Sequence, residues 1–256
     1  MKSLISLLAL LATLYVNYLA NALPLNGLTT GDISGMYDNA FVPAGLTFAI
    51  WGLIYLLLIG HVVLQLWYSL SGKKGAVQEI IDQIQPWFWV SCLMNSLWIF
   101  TFHYQQWLLS ILVMVVLLFS LLQIYTKAAP ARLLRPSSTG FLIWAPFSVY
   151  FAWINVATLA NATLVLVAYE VRLPFPEIWS VVLMTIAGLL AFFFLRKKRD
   201  ILFAAVIVWA LWGIHLGQAD LPLVHNWALG ELLVLSVALV WQTVKILADT
   251  PKTKPL

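Results

Sequence analysis

Charged residues are scarce in this chain. Asp, Glu, Lys and Arg make up only 9% of its 256 residues, whereas a soluble domain carries about 25%. Hydrophobic residues reach 62%, and apolar runs long enough to cross about 30 Å of hydrocarbon as a helix recur along the chain. This composition excludes an ordinary soluble domain. It predicts an all-α, polytopic membrane protein.

Cysteine and the common catalytic motifs are also nearly absent. The lone Cys92 excludes a disulfide framework. The sequence has no HExxH, CxxC, GxSxG or Walker motif. Its apolar runs contain no pair of carboxylates, which argues against an intramembrane protease or an acid-pair proton pump. We therefore expect no catalytic residues, no metal and no resident cofactor, and favour a non-enzymatic protein while leaving the enzyme question open.

The apolar runs divide into eight transmembrane helices. A loop at 70–86 contains apolar residues at helical spacing, which predicts a short amphipathic helix on the membrane surface. Pro43 suits the first turn of the second span. The eight spans are 3–22, 45–69, 87–103, 106–126, 141–166, 177–195, 201–219 and 226–247.

The basic residues predict the orientation. With the N-terminus in the cytoplasm, thirteen of the fourteen Lys and Arg residues fall on the cytoplasmic side, and only Arg172 lies outside. This topology explains the net charge of +4 without a nucleic-acid partner. It predicts an integral protein of the cell (inner) membrane with both termini cytoplasmic. A signal peptide cleaved after Ala22 is the alternative, and it would leave seven spans.

Tryptophan occurs thirteen times. Twelve of them are grouped by depth, and seven of these lie near span ends, where the amphipathic indole favours the membrane interface. Five lie deeper, where a buried indole N–H needs a hydrogen-bond partner. These five either contact packed polar groups or line a cavity. These five are Trp51, Trp98, Trp153, Trp209 and Trp212.

Polar residues within the spans have two interpretations. Asn95 in the third span and Thr158 and Asn161 in the fifth can hydrogen-bond to neighbouring helices, or they can line a pocket with aromatic walls. His215 and Glu231 fall at similar depth on the last two spans. They are predicted to pair, either as a structural clasp or as a proton-responsive site.

Three segments resemble the TspO/MBR family, the tryptophan-rich sensory proteins that include the translocator protein (peripheral benzodiazepine receptor). They are "PAGLTFAIWGLIY" from Pro43, "LMNSLWIFTF" from Leu93 and "YFAWINVATLAN" from Tyr150. The third departs from the family pattern, since Pro146 lies seven residues before Trp153 rather than four. The resemblance covers about residues 1–168.

This resemblance implies a five-helix transmembrane bundle over 1–168, followed at 169–256 by three additional helices and a short cytoplasmic tail. The bundle would enclose a pocket for a flat hydrophobic ligand, a porphyrin (tetrapyrrole or haem) or a sterol-like molecule, with the first loop as a lid. Membrane lipid and this small ligand are the expected partners, and a homodimer stays open. The implied ligand-binding residues are Phe48, Trp51, Tyr55, Asn95, Trp98, Tyr150, Trp153, Ala157, Thr158 and Asn161.

The family's assigned roles include sensing, transport and porphyrin breakdown, so the resemblance does not select one activity. A membrane-embedded binding protein with a sensory or translocator role is the leading hypothesis. A secondary transporter that uses His215 and Glu231 as its proton-responsive element is the alternative.

Overall fold

The computed structural model describes residues 1–23, 25–37, 39–134, 137–171 and 174–249. Within these ranges the backbone forms α-helices and short 3₁₀ turns, with no β-strand. Arg172, the basic residue predicted to face outside, lies beyond the described residues, as do Arg135, Lys252 and Lys254. The helices are α1 (Lys2–Ala22), α2 (Thr30–Ser34), α3 (Ile50–Leu70), α4 (Ala76–His103), α5 (Trp107–Ala128), α6 (Ser137–Ala168), α7 (Pro176–Lys198), α8 (Ile201–Gly217) and α9 (Pro222–Asp249).

Helices form at all eight predicted spans, which confirms an all-α polytopic membrane protein. In the described part of the chain, six of them are long and apolar enough to cross a membrane. The other two are α8, which is apolar but has only 17 residues, and α4. The polar side chains of α4, among them Asn95 and His103, lower its hydropathy.

The predicted surface helix in the loop at 70–86 is wrong. Its residues are instead the first turns of α4, which runs without a break through Pro86. Ile81 and Ile84 are fully buried, and the Gln85 amide donates a 3.0 Å hydrogen bond to the Gln65 side chain on α3. Burial against the rest of the bundle therefore stabilises the helical conformation of this segment, although proline favours the ends of helices.

Pro43 also differs from the expectation. It lies before the helix, because a 3₁₀ turn at Gly45–Ala49 leads into α3. The backbone around Pro43 bonds elsewhere. The Ala44 N–H donates to the Gly213 carbonyl at 2.9 Å, and the Gln218 amide donates to the Val42 carbonyl at 2.8 Å.

The chain forms two compact units. The first contains Met1–Asn39 and Phe48–Arg172, and the second contains Ala40–Thr47 and Leu173–Leu256. In the first unit α1 packs on α4, α4 on α5, α5 on α6, α6 on α3, and α3 on α1, which closes a ring of five helices. In the second unit α7, α8 and α9 all pack against one another.

Candidate functional site

A cavity of about 400 Å³ lies within the first unit, at the junction of α1, α2, α3 and α4. This volume is within the range of pockets that bind small molecules. Most of its wall is apolar or aromatic, and none of its lining residues is charged. The lining residues are Leu14, Asn17, Tyr18, Asn21, Thr30, Gly31, Phe48, Trp51, Tyr55, Trp98 and Ile99.

One wall of the cavity is a set of nearly parallel aromatic rings centred on Trp51. Trp51 stacks on Tyr55, with ring centroids 5.5 Å apart and an interplanar angle of 21°. It also stacks on Trp98 of α4 at 6.4 Å and 25°. Tyr55 lies one turn after Trp51 on α3, so helical spacing places both rings on one face. The wall therefore offers flat apolar surface to a planar molecule.

Helix α6 supports this wall from behind. Tyr150 contacts Trp51 edge-on at 5.7 Å, and Trp153 does so at 6.4 Å. Trp153 also contacts Phe48 edge-on at 6.0 Å and is only 2% exposed. These edge-to-face contacts are favourable for aromatic quadrupoles and fix the rotamer of Trp51.

A buried chain of hydrogen bonds joins three helices beneath the aromatic wall. The Asn17 amide of α1 donates to Asn95 Oδ1 of α4 at 2.7 Å, and the Asn95 amide donates to the Tyr150 hydroxyl of α6 at 2.8 Å. The α1 contact is reinforced by Thr13, whose hydroxyl donates to the Cys92 carbonyl at 3.1 Å. Because these groups are buried among apolar side chains, each needs its partner, and the chain fixes the relative positions of α1, α4 and α6.

Three lining residues carry polar atoms that are buried and without a hydrogen-bond partner in the described part of the chain. They are the Trp98 indole nitrogen and the hydroxyls of Thr30 and Tyr55. All three can donate a hydrogen bond. A buried donor without an acceptor is costly, so a ligand with carbonyl or carboxylate oxygens in this cavity would relieve that cost.

Residues after α1 cover one side of the cavity. The short helix α2 begins with a capping box. The Asp32 N–H donates to the Thr29 hydroxyl at 3.1 Å, and the Thr29 N–H donates to the Asp32 carboxylate at 2.9 Å. The hydroxyl and the backbone N–H of Thr29 both bond the Asp32 carboxylate and hold the pKa of that carboxyl below its usual value. The cap positions Thr30 and Gly31 at the cavity.

The structure brings seven of the ten predicted ligand-binding residues together and leaves three apart. Phe48, Trp51, Tyr55 and Trp98 line the cavity, with Asn95, Tyr150 and Trp153 directly behind them. Thr158 donates to the Ile154 carbonyl of its own helix at 2.6 Å. Asn161 exchanges hydrogen bonds with Ser110 of α5, as the interhelical interpretation expects. Ala157 is also outside the lining.

Several lining residues were not predicted from the sequence. Four of them lie at helical spacing along one face of α1, namely Leu14, Asn17, Tyr18 and Asn21. The polar and aromatic members of this face stand out on an apolar helix and could have indicated that it lines a pocket. The resemblance implied that the first loop covers the pocket, but it did not single out Thr30 and Gly31, whose place depends on how the loop folds back over the bundle.

His215 and Glu231 have separate surroundings in the second unit. His215 stacks on His225 with ring centroids 3.9 Å apart, and each ring bonds the other residue's backbone carbonyl. Glu231 lies against Gly188 of α7. Among the described residues the two form no ion pair. Their proton-responsive role is not tested by this contact and stays a prediction.

Among the described residues that line the cavity, groups that hold metals or drive acid–base chemistry are not gathered. No cluster of three or more His, Cys, Asp and Glu side chains capable of holding a metal occurs within the ranges that the structure describes. The lining itself supplies aromatic, amide and hydroxyl groups.

The fold and the cavity together define an integral membrane protein that has a ring of five helices and an aromatic-walled cavity at the junction of α1, α2, α3 and α4. The chain belongs to the TSPO-like protein family, whose model matches residues 3–241. The match extends beyond the 1–168 segment of the resemblance and includes most of the last three helices. Neither the curated proteins nor the solved structures contain a match to this chain.

Proposed function

We propose that this protein binds a flat hydrophobic ligand of the tetrapyrrole class in the cavity beside Trp51, and that ligand binding underlies a sensory or translocator role. The observation that carries the proposal is the aromatic wall, in which Trp51, Tyr55 and Trp98 present nearly parallel rings to a cavity of about 400 Å³. Stacking on these rings supplies affinity for a planar molecule.

The polar groups of the cavity favour a ligand with acceptor oxygens at its edge. The Trp98 N–H and the Thr30 hydroxyl have no acceptor in the described part of the chain. A tetrapyrrole carries carboxylates around a flat apolar ring, and a sterol carries a single hydroxyl on a body that is not flat. Parallel aromatic rings and several unused donors thus support the tetrapyrrole over the sterol.

The test is a titration of the purified protein with protoporphyrin IX, followed by the shift of the porphyrin absorption band. Trp51→Leu is expected to raise the Kd about tenfold, because it removes the stacking surface. Trp67→Leu is the matched control, because Trp67 is on the same helix, 49% exposed and outside the cavity.

A cholesterol analogue tested in parallel separates the two ligand classes. Tighter binding of the sterol than of the porphyrin would show that the ligand class is wrong and that the cavity is still the binding site. Absence of porphyrin binding by the wild type, or equal losses of affinity in the two Trp variants, would contradict the proposed binding site. The orientation, the inner-membrane location and the homodimer remain predictions from the sequence.

A further inference from the structure

The second unit contains a cavity of its own. It has a volume of about 700 Å³ and lies between α7 and α9. Pro222, Leu223, Trp227 and Val234 give it an apolar wall, and Trp227 is 45% exposed. The polar groups at its surface are Thr185, Asn226 and Glu231, so Glu231 is its one charged side chain.

The Glu231 carboxyl occupies space that Gly188 provides. A Cβ atom at Gly188 would overlap Glu231 Oε1 and lie 2.7 Å from the carboxyl carbon. Trp227, one turn earlier on α9, lines the same cavity. The second oxygen, Oε2, is buried and has no hydrogen-bond partner within the described ranges.

Glu231 also has no counter-charge in the described part of the chain, where the ion pairs join other residues. The first basic residue along α7 after Gly188 is Arg196, about two turns away. A carboxylate in apolar surroundings is costly unless a cation or several donors compensate it. A cation beside Glu231 and an apolar body against Leu223 and Val234 would therefore complement the wall of this cavity.

We propose that the cavity between α7 and α9 binds a small apolar amine, with its ammonium group beside the Glu231 carboxyl. The ammonium N–H groups supply donors to the unpartnered Oε2, and the exposed face of Trp227 adds a cation–π attraction. The apolar body of the amine packs against the aliphatic side chains. The inference is independent of the tetrapyrrole site, since all the residues involved belong to the second unit.

Isothermal titration calorimetry of the full chain in neutral maltoside micelles tests the proposal, with empty micelles as the blank. The probes are 1-adamantanemethylamine and its neutral counterpart 1-adamantanemethanol, which share one apolar body. The wild type is expected to bind the amine about tenfold more tightly than the alcohol, because a hydrogen bond to a charged group is worth more than a neutral one.

Glu231→Gln is expected to abolish the preference for the amine while leaving the affinity for the alcohol unchanged. Glu177→Gln is the matched control, because Glu177 is on α7 outside the cavity lining and should keep the preference. Gly188→Ala is a second variant, expected to reduce the preference by displacing the carboxyl. Equal affinity of the wild type for both probes, or a preference that survives in Glu231→Gln, would overturn the proposal.

Discussion

Asn95 shows how one residue can determine the geometry of the site. Its carbonyl oxygen accepts from Asn17 and its amide donates to Tyr150, so a single fully buried side chain joins α1, α4 and α6. Tyr150 in turn contacts Trp51 edge-on. The position of the aromatic wall therefore depends on a residue that lies behind the cavity lining.

Replacement of Asn95 by Leu is expected to lower the free energy of unfolding by about 1–3 kcal/mol. The change removes two hydrogen bonds and leaves Asn17 and Tyr150 with unsatisfied groups in apolar surroundings. Denaturant-induced unfolding in micelles, followed by circular dichroism, measures the loss.

Asn155→Leu is the matched control for this measurement. Asn155 is less buried than Asn95, and its amide donates to the Phe151 carbonyl of its own helix. The loss of stability in Asn155→Leu should be smaller, because the hydrogen bond of Asn155 stays within its own helix. Equal destabilisation by the two variants would contradict an interhelical role for Asn95.

At the scale of the element, α2 depends on its cap. A helix of five residues cannot support itself in water, so the bonds between Thr29 and Asp32 contribute to holding Thr30 and Gly31 at the cavity. Hydrogen bonds to the carboxylate lower the pKa of Asp32. The stabilising contribution is therefore fully present above the ordinary Asp pKa of about 3.9 and is lost as the pH falls through the lower folded value.

Hydrogen exchange of residues 30–35, corrected for intrinsic rates, is expected to be protected equally between pH 7 and about pH 5 and to lose protection below about pH 4. Thr29→Ala removes the hydroxyl of the cap and should lower the protection about fivefold at neutral pH. Asp32→Ala should abolish the pH dependence. A pH response unchanged in Asp32→Ala would show that another group is responsible.

At the scale of the whole molecule, the chain order and the compact units do not coincide. Ala40–Thr47 lies between α2 and α3 in sequence but belongs to the unit of α7, α8 and α9. Within that unit the Trp209 indole donates to the Thr47 carbonyl at 2.9 Å, and the Ala44 N–H donates to the Gly213 carbonyl. The second unit is thus completed by a segment that precedes it by more than a hundred residues.

Gly213→Ala tests this packing. A Cβ atom at Gly213 would overlap Thr47 and lie 2.8 Å from its Cβ atom, so the variant is expected to lose about 1–3 kcal/mol of stability through overpacking. Gly230→Ala is the matched control, because a Cβ atom there meets no atom within 4 Å. The control should keep or raise the melting temperature, since alanine favours the helix. A Gly213→Ala variant as stable as the control would contradict the placement of Thr47.

The family resemblance grouped Trp51, Trp98 and Trp153, their depth within apolar runs agreed with that grouping, and the structure does bring them together. The same reasoning could not separate Asn95 from Asn161. Each is a polar residue in an apolar helix, but Asn95 lies behind the cavity wall and Asn161 bonds Ser110 elsewhere. Helical spacing tells which residues share a face, and it does not tell which helix that face meets.

The sequence by itself determined the all-helical membrane architecture and the approximate positions of the helices, because hydrocarbon thickness and backbone hydrogen bonding allow few alternatives. Only the tertiary structure decided that α4 continues through Pro86, which residues of the first loop line the cavity, and that Glu231 faces Gly188 rather than His215. These outcomes depend on contacts between distant parts of the chain, whose energies exceed the local preferences that a sequence pattern records.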